Sequence, residues 1–372
     1  MFGAVGLISA ASVSGCVHAS EGVETAPASV SDPTSSQAAN PSAELSAQIW
    51  QAYKSRFLQA DGRIVDTYSN VSHTESQGTG MILAALAGDR AAFDLIWGWT
   101  RTTLERPDGL FSWRYDPAAE TPVADRNNAT DGDLMIAWGL ALAAGRWNDW
   151  DDKSAAVRIA RAIERILVRE AAGGLILLPG AAGFETEAGI VVNPSYYVFP
   201  ALRDLSRMTR SPVLARVADD GAALIDANRF GPYGLPADWL LIADDGVRLD
   251  PGHPPRFGYE AVRVPLYLAW DGRLTPERAA PFCQAWAGSD AATPPDAWFD
   301  LSTGETAGFA GSNGFQAVRT LVAAQCAGEA EPVFPSLEIE ADYYSASLIA
   351  FSLHARSHGA KPAAGISSEA PR

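Results

Sequence analysis

The sequence has 372 residues, 47% of them hydrophobic, so the chain is long enough to bury a large core as a globular protein. Its 44 acidic residues outnumber the 28 basic ones, the net charge is −16, and no Lys/Arg-rich run occurs. This balance excludes nucleic acid and anionic membrane surfaces as expected partners, and it favours a neutral or cationic ligand.

The N-terminal segment has the character of an export signal. Its first 15 residues, MFGAVGLISAASVSG, are uncharged and apolar or small, and they are too few to cross a bilayer as a helix. Residues 13–16, VSGC, are similar to a bacterial lipoprotein cleavage site in which Cys16 would carry the lipid, while residues 17–19 offer an ordinary cleavage site instead. We therefore expect residues 1–16 to direct export to the periplasm, the outer membrane or the medium, with the lipid anchor left open.

The rest of the chain divides into a tether, one domain and a tail. Residues 17–40 are rich in Ala, Ser, Pro and Thr, so they are expected to be disordered. A single monomeric domain is expected over residues 41–357, followed by a flexible tail over 358–372. Within the domain, Cys283 and Cys326 could pair in an oxidising compartment, and two separate buried thiols are an equal alternative.

Eleven helices are predicted from apolar residues that recur with helical spacing. The first starts at Pro41 and places its large apolar side chains on one face. The other ten are predicted, with boundaries uncertain by about 2–4 residues, at 76–87, 90–104, 131–146, 153–170, 196–208, 212–228, 259–270, 276–287, 312–325 and 341–355.

Strands are few in this pattern. Only GLILLPG (174–180) and GIVVN (189–193) have strand character, and they are predicted to form one hairpin. Strands do not alternate with helices, which disfavours a doubly wound sheet. Many antiparallel helix pairs without a fixed repeat favour a closed toroid over a solenoid. In a toroid, functional residues gather on the loops and helix ends at one mouth.

Acidic residues stand at the start of three predicted helices: Glu75, the pair Asp131 and Asp133, and Glu260. Each one alone suits helix capping, because carboxylates satisfy free N–H groups and the positive end of the dipole. Capping does not explain the run Ser76-Gln77-Gly78-Thr79-Gly80, since small residues weaken a helix start unless something approaches the backbone. We expect a ligand to approach Glu75 there.

Aromatic rings lie beside hydrogen-bonding groups on three connecting segments: residues 113–115 (WRY), 193–197 (NPSYY) and 238–239 (DW). Each cluster alone is more often a core anchor. Rings together with carboxylates suit a carbohydrate cleft, because aromatic faces stack on the apolar faces of sugars.

At these residues the sequence resembles glycoside hydrolase family 8, especially the bacterial endoglucanases associated with cellulose synthesis. The likeness runs from about residue 49 to residue 351. Ala129-Thr130-Asp131-Gly132-Asp133, continued to Trp147, is similar to the family signature. Six further motifs occur in the family's order: DGRIVD (61–66), SHTESQGTGM (72–81), FSWRY (111–115), NPSYY (193–197), ADWL (237–240) and GYEAVRVP (258–265).

The resemblance implies an all-α (α/α)6 barrel, with a groove that binds a β-1,4-linked polysaccharide or oligosaccharide. It implies hydrolysis of internal bonds with inversion and without cofactor or metal. By position, Glu75 matches the general acid, Asp131 the carboxylate that holds and distorts the central sugar, and Glu260 the general base. The substrate-binding candidates on these motifs are Trp113, Arg114, Tyr115, Tyr196, Asp238, Trp239, Tyr259 and Arg263.

Several positions depart from the family's pattern. Ser76 and Thr79 replace a usual Gly and Tyr beside the acid, Glu260 replaces a usual Asp at the base position, and Gly139 and Ala141 alter the signature. Two alternatives therefore stay open: a glycan-binding relative with impaired catalysis, and a chitosanase or xylanase of the same family.

The chemistry makes opposite demands on the two catalytic acids. A helix N-terminus lowers the pKa of Glu75, which is unfavourable for an acid, so burial or a nearby carboxylate such as Asp131 must outweigh it. Arg263, three residues after Glu260, is placed to keep that carboxylate ionised as a base requires.

A zinc enzyme lacks support in the sequence. His73 and His253 are far apart, and the pair His354 and His358, although spaced i,i+4, is expected at a solvated helix end without a third ligand. Neither a phosphate-binding loop nor a nucleophile elbow occurs.

Overall fold

The computed structural model describes residues 41–288, 293–326, 333–340 and 342–359, and helices form in it where apolar residues recur with helical spacing. The helices of these residues are α1 (Pro41–Phe57), α2 (Thr74–Ala87), α3 (Arg90–Leu104), α4 (Thr130–Trp147), α5 (Trp150–Leu167), α6 (Phe199–Thr209), α7 (Pro212–Ala227), α8 (Arg263–Trp270), α9 (Pro276–Ala285), α10 (Asn313–Ala323) and α11 (Tyr343–Gly359). The predicted signal, the tether and Cys16 lie outside the described residues.

Six of these helices, α2, α4, α6, α8, α10 and α11, form an inner ring, and all of them except α6 are buried along most of their length. Each contacts the next in this order, and α11 contacts α2, which closes the ring. The amphipathic helices α1, α3, α5, α7 and α9 pack outside it. The predicted toroid, an (α/α)6 barrel, is therefore confirmed, with five outer helices in the described part of the chain. No helix of that part is both long and apolar enough to span a membrane.

Ten short antiparallel strands lie on the connections between helices within the described ranges. They are β1 (Ser72–His73), β2 (Arg114–Tyr115), β3 (Val168–Ala171), β4 (Gly174–Leu177), β5 (Glu185–Thr186), β6 (Gly189–Val192), β7 (Leu240–Ala243), β8 (Gly246–Leu249), β9 (Arg256–Phe257) and β10 (Phe299–Asp300). They pair as β1–β2, β3–β4, β9–β10 and a four-stranded sheet in the order β5-β6-β7-β8.

The prediction of one hairpin from residues 174–180 and 189–193 is wrong, because β4 pairs with β3 and β6 lies between β5 and β7. The β3–β4 turn consists of Ala172 and Gly173, both with positive φ (52° and 78°). Positive φ at both central residues is the requirement of a tight hairpin turn. Because β3 has the polar sequence VREA, the alternating pattern did not reveal it.

The small residues at the start of α2 serve helix packing. A Cβ on Gly78 would lie 2.4 Å from the Cβ of Met135 in α4, and one on Gly80 would lie 2.6 Å from the Ile64 side chain. Gly139 of α4 makes the reciprocal approach to Met81, at 2.8 Å. The expectation that these residues admit a ligand to Glu75 is therefore wrong: what approaches the α2 backbone at these glycines is the protein core.

This packing makes Gly78→Ala a destabilising change. The added methyl group has no room between α2 and α4, and overpacking of this kind costs about 1–3 kcal/mol. Gly145→Ala is the matched control, because Gly145 is in α4 and a Cβ there would meet nothing within 4 Å. We expect thermal unfolding to shift to lower temperature for Gly78→Ala and to stay or rise for Gly145→Ala. Equal midpoints would contradict the packing.

Cys283 of α9 and Cys326, which follows α10, form a disulfide with a Cα–Cα distance of 5.9 Å. Of the two alternatives, the sequence therefore encodes the paired one. The bridge joins residues 43 positions apart, and closing a loop of this length in the unfolded chain stabilises the fold by about 4 kcal/mol. We expect the double variant Cys283→Ala/Cys326→Ala to have a lower thermal midpoint than the wild type. Reductant should lower the midpoint of the wild type and leave that of the double variant unchanged. An unchanged midpoint in the double variant would refute this contribution.

Candidate active site

Two of the predicted acids lie on neighbouring inner helices. Glu75 is in the first turn of α2 and Asp131 in the first turn of α4, so the helix pairing brings their side chains to the same end of the ring. Glu75 Oε1 lies 2.6 Å and Asp131 Oδ2 lies 3.0 Å from the same atom, Nη1 of Arg263. Convergence of these groups from distant parts of the chain is what the acidic motifs predicted.

Glu260 completes the group on the other side of the guanidinium. Its Oε2 accepts a short hydrogen bond from Nη2 of Arg263, so the predicted i,i+3 pair exists. One buried arginine, 5% exposed in its side chain, thus contacts the carboxylates of Glu75, Asp131 and Glu260. The prediction that Glu260 begins a helix is wrong, because α8 begins at Arg263 and Glu260 lies in the preceding turn.

Asp238 explains the form of that turn. Its Oδ1 accepts hydrogen bonds from the backbone N–H groups of Gly258, at 2.9 Å, and Ala261, at 2.8 Å. Because these N–H groups donate to a side chain, the segment forms a turn, and α8 starts after it, at Arg263. Burial raises the pKa of Asp238 to about 7, against the lowering effect of the two N–H donors. Asp238 supports the segment that carries Glu260.

The acids lie in a cavity of about 330 Å³ at this end of the barrel. Its walls are formed by His73, Thr74, Glu75, Trp113, Ala129, Asp131, Tyr196, Tyr259, Glu260, Arg263, Tyr343 and Tyr344. Seven of the eleven predicted site residues are in this set. Aromatic side chains in the walls can stack on sugar rings, and the acidic side chains can bind their hydroxyl groups. The cavity therefore suits a neutral sugar chain.

Three other predicted substrate-binding residues lie outside these walls. Arg114 bonds Asp116 at 3.0 Å, and Tyr115 packs edge-on against Trp99 with ring centroids 5.1 Å apart. Trp239 packs against Tyr196, with ring centroids 6.2 Å apart. One Trp239 neighbour is the imidazole of His253, nearly parallel at 4.3 Å, so this ring is partly covered by protein.

The sequence reasoning missed three aromatic wall residues. The imidazole of His73 is nearly parallel to the rings of Trp113, at 5.6 Å, and Tyr343, at 6.0 Å. Burial lowers the pKa of His73 to about 4, so the ring is neutral at pH 7. Tyr344 donates a short hydrogen bond to the carbonyl of Tyr259. Tyr343 and Tyr344, at the start of α11, are two consecutive tyrosines like residues 196–197. The same pattern could therefore have predicted them as wall residues.

Burial decides the protonation of the acid. It raises the pKa of Glu75, with a further increase from the negative charge of Glu260, and these effects outweigh the lowering by Arg263. Burial also raises the pKa of Asp131 to about 7; Arg263 opposes this, and the charges of Glu75 and Glu260 add to it. The requirement that burial overcome the helix N-terminus is therefore met.

Two of the departures do not face the cavity. Ser76 is fully buried, and its hydroxyl bonds backbone groups of His73 and Ile64, which caps α2. Thr79 is buried between α2 and α4, where its hydroxyl lies 3.9 Å from the sulfur of Met135. Asp133 accepts hydrogen bonds from Phe111 N and Asn128, so it holds neighbouring loops. Of Ser76, Thr79 and Glu260, the three residues that depart from the family pattern near the catalytic groups, only Glu260 lies in the cavity.

Residues 41–288, 293–326, 333–340 and 342–359 contain no group of three metal-binding side chains. The expectation that His354 lies at a solvated helix end is wrong, since it is 2% exposed and stacks on Trp270 at 6.1 Å.

The sequence and structure match known carbohydrate-active proteins. Residues 28–358 match the model of glycosyl hydrolases family 8. A probable endoglucanase of Novacetimonas hansenii is 40% identical, covering 83% of this chain and 90% of that protein. An endoglucanase of Cellulomonas uda is 41% identical, covering 73% and 76%. The endo-β-1,4-glucanase of Acetobacter xylinum superposes with a TM-score of 0.80 and 37% identity, covering 85% of this chain and 99% of that one.

Proposed function

Because the chain belongs to family 8 of the glycosyl hydrolases, we propose that it is an endo-β-1,4-glucanase that cleaves internal bonds of a cellulose-like β-glucan with inversion. The observation that carries the mechanism is the convergence of Glu75, Asp131 and Glu260 on Arg263 at the floor of an aromatic cavity.

In this mechanism Glu75 is the general acid. Its raised pKa keeps a proton available, which passes to the glycosidic oxygen as the bond from that oxygen to the anomeric carbon breaks. Glu260 is the general base: it takes a proton from a water molecule as the water oxygen bonds the anomeric carbon from the opposite face. Arg263 contacts the Glu260 carboxylate and holds it in place for that task.

Asp131 has a third role. It is nearly buried, and its two oxygens accept from Gly132 N, at 2.8 Å, and from Arg263. A carboxylate held by the same guanidinium as the acid and the base is suited to bind a hydroxyl of the central sugar in a distorted ring. Such distortion and hydrogen bonding contribute several kcal/mol to glycoside hydrolysis.

The activity is tested by digesting soluble β-1,4-glucan. We expect viscosity to fall early relative to the release of reducing ends, since internal bonds are cut, and proton NMR to detect the α-anomer of the new end first. Chitosan and xylan digested in parallel decide between the family's substrates. Binding of β-glucan without new reducing ends would refute the hydrolase and leave the glycan-binding alternative.

We further propose that the protein is exported and acts as a monomer on cellulose at its site of synthesis. The Cys283–Cys326 disulfide supports export, since such bonds persist in oxidising compartments. Lipidation at Cys16 predicts that the wild type incorporates labelled fatty acid and that Cys16→Ala does not. A cytoplasmic location in cell fractionation would contradict the proposal.

A further inference from the structure

Asn193 lies directly behind the proposed base, in a motif whose role the mechanism leaves open. It is fully buried and caps the short 3₁₀ helix of residues 194–196, where its Oδ1 accepts a hydrogen bond from Ser195 N at 2.9 Å. Its Nδ2 donates to Glu260 Oε2 at 2.9 Å. The cap and the base position are thus joined by one amide group.

The helix cap fixes which way this amide points. A backbone N–H can only donate, so the Asn193 atom facing Ser195 N must be the oxygen. The Ser195 hydroxyl, 2.7 Å from the same oxygen, reinforces this orientation. The NH₂ group of Asn193 therefore faces Glu260. Because an NH₂ group can only donate, Glu260 Oε2 is the acceptor in this hydrogen bond.

Every hydrogen bond that the described residues make to the Glu260 carboxylate reaches the same oxygen, Oε2. Its donors are Asn193 Nδ2 and Arg263 Nη2, and the Ser195 hydroxyl lies 3.4 Å away. Since that hydroxyl gives its hydrogen to Asn193 and accepts from Arg263 at 2.9 Å, it links the two donors. Oε1 is left to receive the proton of water.

We propose that Asn193 is a positioning residue that clamps Oε2 of Glu260, so that Oε1 of this longer side chain is aimed at the catalytic water. The proposal rests on Glu260 being the base of the proposed function. Glutamate has one rotatable bond more than the aspartate usual at this position. Its carboxylate is therefore less restricted, and hydrogen bonds to Oε2 are needed to fix the direction of Oε1. A displacement of about 1 Å at a catalytic group can cost about a hundredfold in rate.

Several charged or titratable groups face Glu260. They are Arg263 and Tyr267 from α8, Glu75 from α2, Asp131 from α4, Asp238 from the segment before β7, Tyr196 from the 3₁₀ helix and Tyr344 from α11. Changing Asn193 alone leaves all of them in place, so a shift in the acidic limb of the pH–rate profile reports on the clamp.

Asn193→Asp tests the clamp without removing the cap. Aspartate caps a helix as well as asparagine and has nearly the same shape, but it places a second carboxylate against Glu260 Oε2. We expect the acidic limb of kcat to move up by about one pH unit or more and kcat at neutral pH to fall at least about tenfold, with KM within about twofold. Asn193→Ala should lower kcat about tenfold with a smaller shift.

Asn313→Asp is the matched control, because the Asn313 amide also donates to a glutamate, Glu340 Oε2 at 3.1 Å, outside the cavity walls. Its pH profile should match that of the wild type. An acidic limb that stays in place in both Asn193 variants, while their thermal midpoints fall, would overturn the clamp and leave a structural cap.

A direct titration keeps the clamp testable if either Asn193 variant folds poorly or the wild type hydrolyses nothing. The Glu260 side-chain carboxyl carbon can be followed by carbon-13 NMR, with its signal assigned by its loss in Glu260→Gln. The clamp predicts a higher pKa of Glu260 in Asn193→Ser than in the wild type. An equal pKa would refute it, whereas inactivity of the wild type would refute only the proposed function.

Discussion

Glu75→Gln is expected to lower kcat on soluble β-1,4-glucan by about a thousandfold, within the 10²–10⁴ range typical of general acid catalysis. The amide keeps the length and shape of the side chain but has no proton to give to the leaving oxygen. It can still accept from Nη1 of Arg263, so substrate binding should change little and KM should stay within a few-fold. The measurement is the release of reducing ends under initial-rate conditions.

The leaving group provides the decisive comparison for this variant. A dinitrophenyl cellobioside needs little protonation when it departs, so Glu75→Gln should slow its hydrolysis far less than that of β-glucan. Glu277→Gln, at the first turn of α9 on the surface, is the control and should be fully active on both substrates. Equal losses on both substrates would assign Glu75 a role other than the acid.

Arg263→Met is expected to damage both stability and activity. The thioether has a similar reach but leaves the carboxylates of Glu75, Asp131 and Glu260 without their shared cation. Removing one partner from a buried ionic cluster costs about 3–5 kcal/mol. Because the base loses the guanidinium that holds it in place, kcat should fall by about a hundredfold or more.

The loss of stability should depend on pH in a defined direction. In the wild type the pKa of Asp131 is already raised from 3.8 to about 7, and removing the Arg263 cation raises it further. A carboxyl group with a raised pKa in the folded state favours folding below its unfolded pKa, and this contribution is lost as pH rises through the folded value. The deficit of Arg263→Met should therefore be small near pH 4 and largest above pH 7.

Denaturant unfolding at pH 4, 6 and 8 measures this trend. Arg169→Met is the control, since Arg169 makes a bidentate but exposed pair with Glu185, at 2.8 and 2.9 Å. Exposed pairs contribute about 1 kcal/mol or less. A deficit of the same size at all three pH values would contradict the assignment of raised pKa values to the cluster.

Helices were the part of the fold that the sequence specified most directly. Apolar residues at helical spacing predicted eleven of them: the outer helices bury one apolar face, while inner helices such as α2 and α4 are apolar and buried on nearly all sides. The strands were harder, since four-residue segments such as β3 and β8 depend on their partners and carry polar residues. Their pairing is decided by turns with positive φ, as at Ala172 and Gly173.

For the site, sequence motifs identified the acids better than their supports. Glu75, Asp131 and Glu260 stand out because each lies in a motif that occurs in the family's order. The sequence predicts Asp238 as a substrate-binding residue but does not reveal that its Oδ1 accepts from two backbone N–H groups. The small residues of α2 correctly predict a close approach, but the approaching groups are Met135 at Gly78 and Ile64 at Gly80.

The contact of α2 with α4 through glycine has a consequence for how this enzyme can change. Glu75 and Asp131 lie on two helices that pack closely at Gly78 and Gly139, so neither can be relocated without rebuilding the barrel. Glu260 stands on a turn held by side-chain hydrogen bonds, which single substitutions can lengthen or shorten. Relatives that prefer different glycosidic bonds should therefore differ mainly in the segment that carries the base, Glu260. The helices that carry Glu75 and Asp131 should stay constant among them.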